Sequence, residues 1–206
     1  RNWQVLRSRL PQRYREPANL RVSGDAVRYE MTVEPNFRPW ILVLDAAAEA
    51  PRVSGMEVFM NTQLQWLGSR PVTELLRYQA TSHTAFRHGP ERETPGLQDF
   101  LELPAGLNPR TLALARDMRA DPQWGNDPAR LVQAGLQRLR TGGYLYTLEP
   151  GVYGEHTADE FWFDNRQGFC EHIAAADAIR MRAMGIPARI VTGYQGGEMN
   201  AVDGYW

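Results

Sequence analysis

Lysine is absent. All 23 basic residues of this 206-residue chain are arginine, so no side chain offers a primary amine. Codon bias accounts for that without any functional demand. Cysteine occurs once, at Cys170, which rules out an internal disulfide framework and leaves the redox compartment unread. Neither charge sign is in surplus: the formal net charge is −1 and the pI about 6.5, without the basic excess of an ordinary nucleic-acid binder. Long apolar runs are missing too. The longest strongly apolar stretch is Ile41-Leu42-Val43-Leu44, closed by Asp45, far short of the ~20 residues that span a bilayer. No secretory leader pattern opens the chain. It begins at Arg1 rather than at a methionine, which predicts a trimmed piece of a longer polypeptide. What remains is an ordinary globular composition, 43% hydrophobic and 23% charged, with length for one large domain or two small ones.

The first hundred residues read as β structure. Val27, Tyr29, Met31 and Val33 alternate with Arg28, Glu30 and Thr32, the pattern of a half-buried strand. Trp40 to Leu44 reads as a second, more buried strand. Ser54–Met60 and Gln63–Leu67 flank Asn61-Thr62, a candidate tight hairpin turn. From Glu74 to Phe86 the alternation resumes, with Leu76, Tyr78, Ala80, Ser82, Thr84 and Phe86 on one face. Short strands at this spacing predict an antiparallel sandwich. Gly89 to Pro95 reads as a loop, and after Pro104 the period becomes helical. Asn108-Pro109 and Asp127-Pro128 each place an N-cap before a first-turn proline, predicting helices to about Ala120 and Arg140. Tyr144–Leu148 is a short strand candidate, Thr157–Asp164 a helical turn, and Gly168 opens a helix to about Met184. Ala188–Tyr194 reads as a strand, with another beginning near Gly204.

Cys170 is the informative residue. It follows Gly168 at a predicted helix start, where free N–H groups and the positive end of the helix dipole favour a thiolate. Taken alone, a single cysteine is more often a small buried hydrophobe. His172 lies two residues on, ~200° around a helix, and so points away from Cys170; a Cys-x-His pair without further ligands is no zinc site. His83 and His88 belong to the β half, and His156 to a glycine-rich stretch before Cys170. Asp177 and Arg180, three apart on the cysteine's helix, read as an exposed ion pair. Phe161, Trp162 and Phe163 read first as core. Gly193, Gly196 and Gly197 match no phosphate-binding loop.

The run from Glu160 through Gly168-Phe169-Cys170-Glu171-His172, then Gly185-Ile186-Pro187-Ala188-Arg189 and Val191-Thr192-Gly193-Tyr194, resembles the transglutaminase-like superfamily, closely its bacterial membrane-anchored, TgpA-type members. The resemblance covers about a quarter of the chain and implies an α+β protein. An antiparallel β-sandwich-like domain over 1–104 would precede the helical, cysteine-bearing half of a papain-like core over 105–206. It implies a Cys-His-Asp triad with Cys170 as nucleophile, and the histidine and aspartate on strands after Gly204-Tyr205-Trp206. The chain would then be a fragment, inactive by itself because the triad is incomplete.

The reaction implied is acyl transfer from a glutamine carboxamide, with a protein or peptide glutamine donor and an amine acceptor as partners. Trp162 and Tyr194 are candidate substrate contacts. No cofactor, metal or nucleic acid is called for. The implied location is the periplasmic face of the inner membrane, with no membrane contact by this part. A cysteine peptidase or amidase of the same superfamily, or an interaction module with an inert cysteine, stays open. Charges at Asp177 and Arg180 depart from the bulky apolar residues usual in the family.

Overall fold

The computed structural model describes residues 19–90, 94–124, 127–194, 196–202 and 204–205. The chain divides into two units, at Pro95 rather than after Pro104. The segment in between joins the second unit through backbone partners: the Ala188 N–H donates to Phe100 C=O, and Arg182 donates to Glu102 C=O.

In the first unit, β1 (Leu20–Val33) and β5 (Leu76–His88) form an antiparallel ribbon in the register Tyr29↔Ala80 and Val33↔Leu76. Alternation holds only toward the Val33–Leu76 end of the ribbon, since Val27 and Phe86 of the expected inner faces are exposed. Val33, Tyr78, Ala80 and Ser82 are buried, while Arg28, Glu30 and Thr32 face solvent. A bulge interrupts the register between Ser23 and Ala26, where Gly24 takes φ +75 and the Asp25 N–H donates to Thr84 Oγ1.

A second sheet has the order β2 (Trp40–Ile41), β4 (Trp66–Gly68), β3 (Val58–Met60), all antiparallel. Val33 and Tyr78 from the ribbon share one core with Ile41, Trp66, Met56 and Val72, each large side chain contributing roughly 1.5–3 kcal/mol through burial.

Two strand expectations shorten here. Trp40–Leu44 is laddered only at Trp40–Ile41. Beyond it the main chain is satisfied by hydroxyls instead: Tyr78 donates to Leu42 C=O at 2.5 Å, Ser82 donates to Leu44 C=O, and the Leu44 N–H donates to Tyr29 Oη. Asn61-Thr62 is not a two-residue turn either. Met60 pairs with Trp66, and Asn61 Oδ1 accepts from the N–H groups of Gln63 and Gln65, closing a wider loop in which Leu64 takes φ +64.

In the second unit, a 3₁₀ turn (Pro95–Phe100) leads to α1 (Pro109–Ala120) and α2 (Pro128–Thr141). Asp127 caps α2, accepting from the N–H groups of Ala129 and Arg130. β6 (Leu145–Tyr146) pairs in parallel with β7 (Gln167–Gly168). Between them, the single turn α3 (Thr157–Asp159) widens into a π turn over Glu160–Asn165. α4 (Cys170–Ala183) follows β7.

α4 serves two apolar clusters. Met181 and Met184 pack with Ala115, Met118 and Leu131; Ala176 packs with Ala158, Phe161 and Trp162. It ends in a Schellman pair, Ile186 N–H to Met181 C=O and Gly185 N–H to Arg182 C=O, with Gly185 at φ +73 and Pro187 beyond. Ala188–Tyr194 is not a strand: it finds no ladder partner among the described residues, and Val191 and Tyr194 are exposed. The start near Gly204 is likewise no strand, and Trp206 lies outside the described residues.

Candidate active site

Gly168 sets up the turn before Cys170. A Cβ there would stand 2.7 Å from His172 Cβ and 3.0 Å from its Cγ, so only glycine lets the histidine fold back over β7. The His172 ring is held between Tyr153 and Phe169, centroids 4.6 and 4.5 Å away, and its buried Nδ1 has no hydrogen-bond partner. His172 is thus a packing residue facing the aromatic wall, as helix geometry requires. Tyr153 in turn donates to Gln167 C=O at 2.5 Å, and burial pushes its phenol above its ordinary range.

Cys170 is the first residue of α4 and is exposed. Phe169 precedes it in extended conformation, and no side chain caps the helix. The first helical bond runs from Ile173 N–H to Phe169 C=O. The N–H groups of the first turn therefore keep their polarity at the cysteine, and the adjacent acid, Glu171, sits favourably on the dipole. Chemically, this is a solvent-reachable sulfur at the positive end of a helix.

The helix is anchored by the expected Asp177–Arg180 pair, in a setting the sequence does not show. Arg180 is not exposed; it is fully buried. Its Nη2 lies 2.5 Å from Asp177 Oδ1, and its guanidinium stands 5.7 Å from the Trp162 ring centre, with Met118 Sδ beside it. Space for it is left by Gly135 on α2, whose absent Cβ would meet Arg180 Nη2 at 1.6 Å. Trp162 is fully buried as well, donating from Nε1 to Ala176 C=O. The structure therefore places Trp162 beneath α4 as core and gives it no surface for a substrate, whereas Tyr194 is 92% exposed.

A second polar device joins the starts of α1 and α3. Asn108 takes a left-handed φ of 53 and does not cap its own helix. Its Oδ1 accepts instead from the N–H groups of Ala158 and Asp159. Asp159 reciprocates, accepting from the N–H groups of Arg110 and Thr111 and from the Thr111 hydroxyl at 2.6 Å. His156 joins the same cluster, its Nδ1 accepting from the Asn108 N–H at 3.1 Å. Arg110 also pairs with Asp164 and covers Phe163. Asn108-Pro109 shows that a helix begins, but only the fold shows whose N–H groups the asparagine satisfies. His83 and His88 stand in the β unit. Among the described residues, no group of three or more His, Cys, Asp or Glu gathers as a metal site, and no helix is long and apolar enough to cross a membrane.

The site is thus an exposed cysteine heading a helix that packs on two apolar clusters, after a short parallel bridge. Residues 115–206 match the model of the transglutaminase-like superfamily. Residues 1–87 match the TgpA N-terminal domain. The chain is 36% identical over 182 residues to the protein-glutamine gamma-glutamyltransferase of Pseudomonas aeruginosa, covering 88% of this chain and 26% of that protein. It is 29% identical over 102 residues to the uncharacterized protein YebA of Bacillus subtilis, covering 48% of this chain and 13% of that one.

Among solved structures, it superposes on the periplasmic domain of TgpA from Pseudomonas aeruginosa with a TM-score of 0.80 and 34% identity, covering 89% of this chain and 61% of that one. The same domain bound to ethylmercury gives a TM-score of 0.79 at 35% identity, covering 88% and 63%. The chain thus spans about a quarter of the curated Pseudomonas relative and under two thirds of the solved domain.

Proposed function

We propose that this chain is part of a protein-glutamine gamma-glutamyltransferase that works through an acyl-enzyme on Cys170. The observation that carries the reading is the exposed cysteine opening an uncapped helix, inside the region that matches the superfamily model. The thiolate attacks the glutamine carboxamide carbon, the C–N bond breaks, and the nitrogen leaves as ammonia after taking a proton. The resulting thioester is then attacked by an amine, which loses a proton as the sulfur departs. Water in place of the amine gives deamidation. The helix-head N–H groups favour both the thiolate and the oxyanion of the tetrahedral adduct. The partners are a glutamine-bearing polypeptide and an amine. Tyr194 is the exposed candidate for lining the acyl-donor path, and Trp162 supports the cysteine helix from below.

A proton-shuttling base is also needed. His156 is engaged at Nδ1 by Asn108, and His172 is wedged between two aromatic rings. Among the described residues neither is hydrogen-bonded to the Cys170 thiol, and we infer that residues 1–206 alone do not turn over. The relative's periplasmic domain supports a periplasmic location for this one, and the inner-membrane face is part of this proposal. The experiment compares the full-length protein with residues 1–206, each beside a Cys170→Ala control, using a glutamine peptide and a fluorescent amine. Full-length protein should incorporate amine only with Cys170 present, and residues 1–206 should be slower by at least about 10³-fold. Amine incorporation that survives Cys170→Ala refutes the mechanism.

A further inference from the structure

We propose that Phe169 and His172 are positioning residues for Cys170. Their side chains lock the head of α4 by ring contact, where a helix ordinarily carries polar caps, and so leave its first N–H groups to the reacting centre. The proposal rests on the acyl-transfer reading above and names residues that serve that same site.

A helix start is commonly fixed by a capping box. The side chains of the residue before the helix and of the third helical residue each answer the other's N–H. Phe169 and His172 occupy those two positions around Cys170 and Glu171, and neither makes that exchange. Phe169 carries no acceptor, and no side-chain hydrogen bond caps α4. The two rings meet edge to face instead, with centroids 4.5 Å apart and planes at 78°. Such a pair prefers a defined geometry without any hydrogen bond. The first N–H to bond back is that of Ile173, to Phe169 C=O at 3.2 Å. Those of Cys170, Glu171 and His172 meet no acceptor among the described residues.

The ring pair is itself braced. His172 Cβ and Cγ fill the space that a side chain at Gly168 would take. Tyr153 is the second ring neighbour of His172, at 4.6 Å, and is tied to β7 by its bond to Gln167 C=O. Gln167 Nε2 holds the same loop through Pro150 C=O. The buried Nδ1 of His172 has no hydrogen-bond partner. What the position uses is therefore the shape of the ring, not the polarity of that nitrogen.

Phe169 is the single residue between β7 and α4, so a shift of either ring moves the backbone that carries the sulfur. A polar cap would fix the same corner, but at a chemical cost. Its oxygen would sit on a first-turn N–H, and a carboxylate there would oppose a thiolate and an oxyanion alike. Ring contact fixes the corner without placing an oxygen there. The open N–H groups can then meet the charge that develops during acyl transfer.

The test follows fluorescent-amine incorporation into a glutamine peptide by the full-length protein. Alkylation of Cys170 by iodoacetamide is read in parallel by mass spectrometry, and folding by circular dichroism. His172→Phe keeps a ring and should hold kcat within about threefold of the parent. His172→Ala and His172→Gln should lower kcat about 10- to 100-fold with KM unchanged, since an ångström of misplacement is enough. Phe169→Ser combined with His172→Glu builds the polar box. It should keep the parent's urea midpoint yet lose kcat to a similar extent, because the new hydroxyl occupies a helix-head N–H. Undiminished kcat in His172→Ala or in the polar-box variant overturns the proposal, as does rescue by glutamine and not by phenylalanine. Alkylation rates that fall in this order, with no amine incorporated even by the parent, uphold the positioning and overturn the reaction instead.

Discussion

Gly135→Ala is the most exposing single change in the cysteine-bearing unit. On helix propensity alone it should stabilise α2 by about 1 kcal/mol. The structure opposes this. The new methyl carbon would stand 1.6 Å from Arg180 Nη2, 2.2 Å from Cζ and 2.5 Å from Nη1. The guanidinium is the far end of a flexible side chain, but it is fully buried, pressed on Trp162 and held by Asp177 at 2.5 Å. To give way it must leave the carboxylate, and breaking a buried pair costs roughly 3–5 kcal/mol. Net of propensity, the loss is about 2–4 kcal/mol, a fall in Tm on the order of 10 °C for a unit of this size.

Urea unfolding followed by near-ultraviolet circular dichroism, to which Trp162 contributes, measures it. Arg180→Met removes the clash, so Gly135→Ala should cost at least about 1.5 kcal/mol less in that background. A Gly135→Ala protein as stable as the parent, or a cost unchanged by Arg180→Met, refutes the argument.

Three further outcomes follow from the same geometry. Asn108→Ala should destabilise the second unit by about 1–2 kcal/mol in chemical denaturation, because two α3 N–H groups lose their acceptor and alanine is strained at φ 53. Gly168→Ala should cost about 1–3 kcal/mol and slow alkylation of Cys170, since the collision falls on His172 Cβ and Cγ rather than on a flexible tip; mass spectrometry of the labelled cysteine reads it. Burial first, with Tyr29 nearby, raises the Tyr78 phenol well above its ordinary value. Its neutral form is therefore favoured by folding, so the β unit keeps this stabilisation below about pH 10 and loses it as pH rises further. Unfolding scans from pH 8 to 11 should show the fall, and Tyr78→Phe should flatten it.

The β1 and β5 pattern is legible because each strand is half-buried: the ribbon's inner face needs apolar side chains and its outer face does not, so period two is written in the residues. Helix starts at Pro109 and Pro128 are legible because proline in a first turn forfeits no hydrogen bond. The position of Cys170 at a helix head follows from the glycine before it. Partnership is what the letters withhold. Leu42–Leu44 reads as a strand because it is an apolar run, yet the Leu42 and Leu44 carbonyls and the Leu44 N–H are met by hydroxyls from residues far along the chain. Arg180 reads as exposed because arginine usually is; its burial depends on a glycine in another helix. Ala188–Tyr194 has a strand's composition, but composition supplies no neighbour.

The exchange between Asn108 and Asp159 has a kinetic meaning. α3 is one turn long and could not persist by itself, since a first turn fixes several dihedral angles for one hydrogen bond. Its N–H groups are answered from a residue 50 positions earlier, and the head of α1 is answered from the turn so stabilised. Neither beginning is complete before the intervening chain has looped back. Closing that loop is an entropic barrier that local helix formation cannot bypass. The two caps should therefore form in one event: substitutions at Asn108 and at Asp159 would share a φ-value, and the stretch between them would open and close to hydrogen exchange as a single cooperative block.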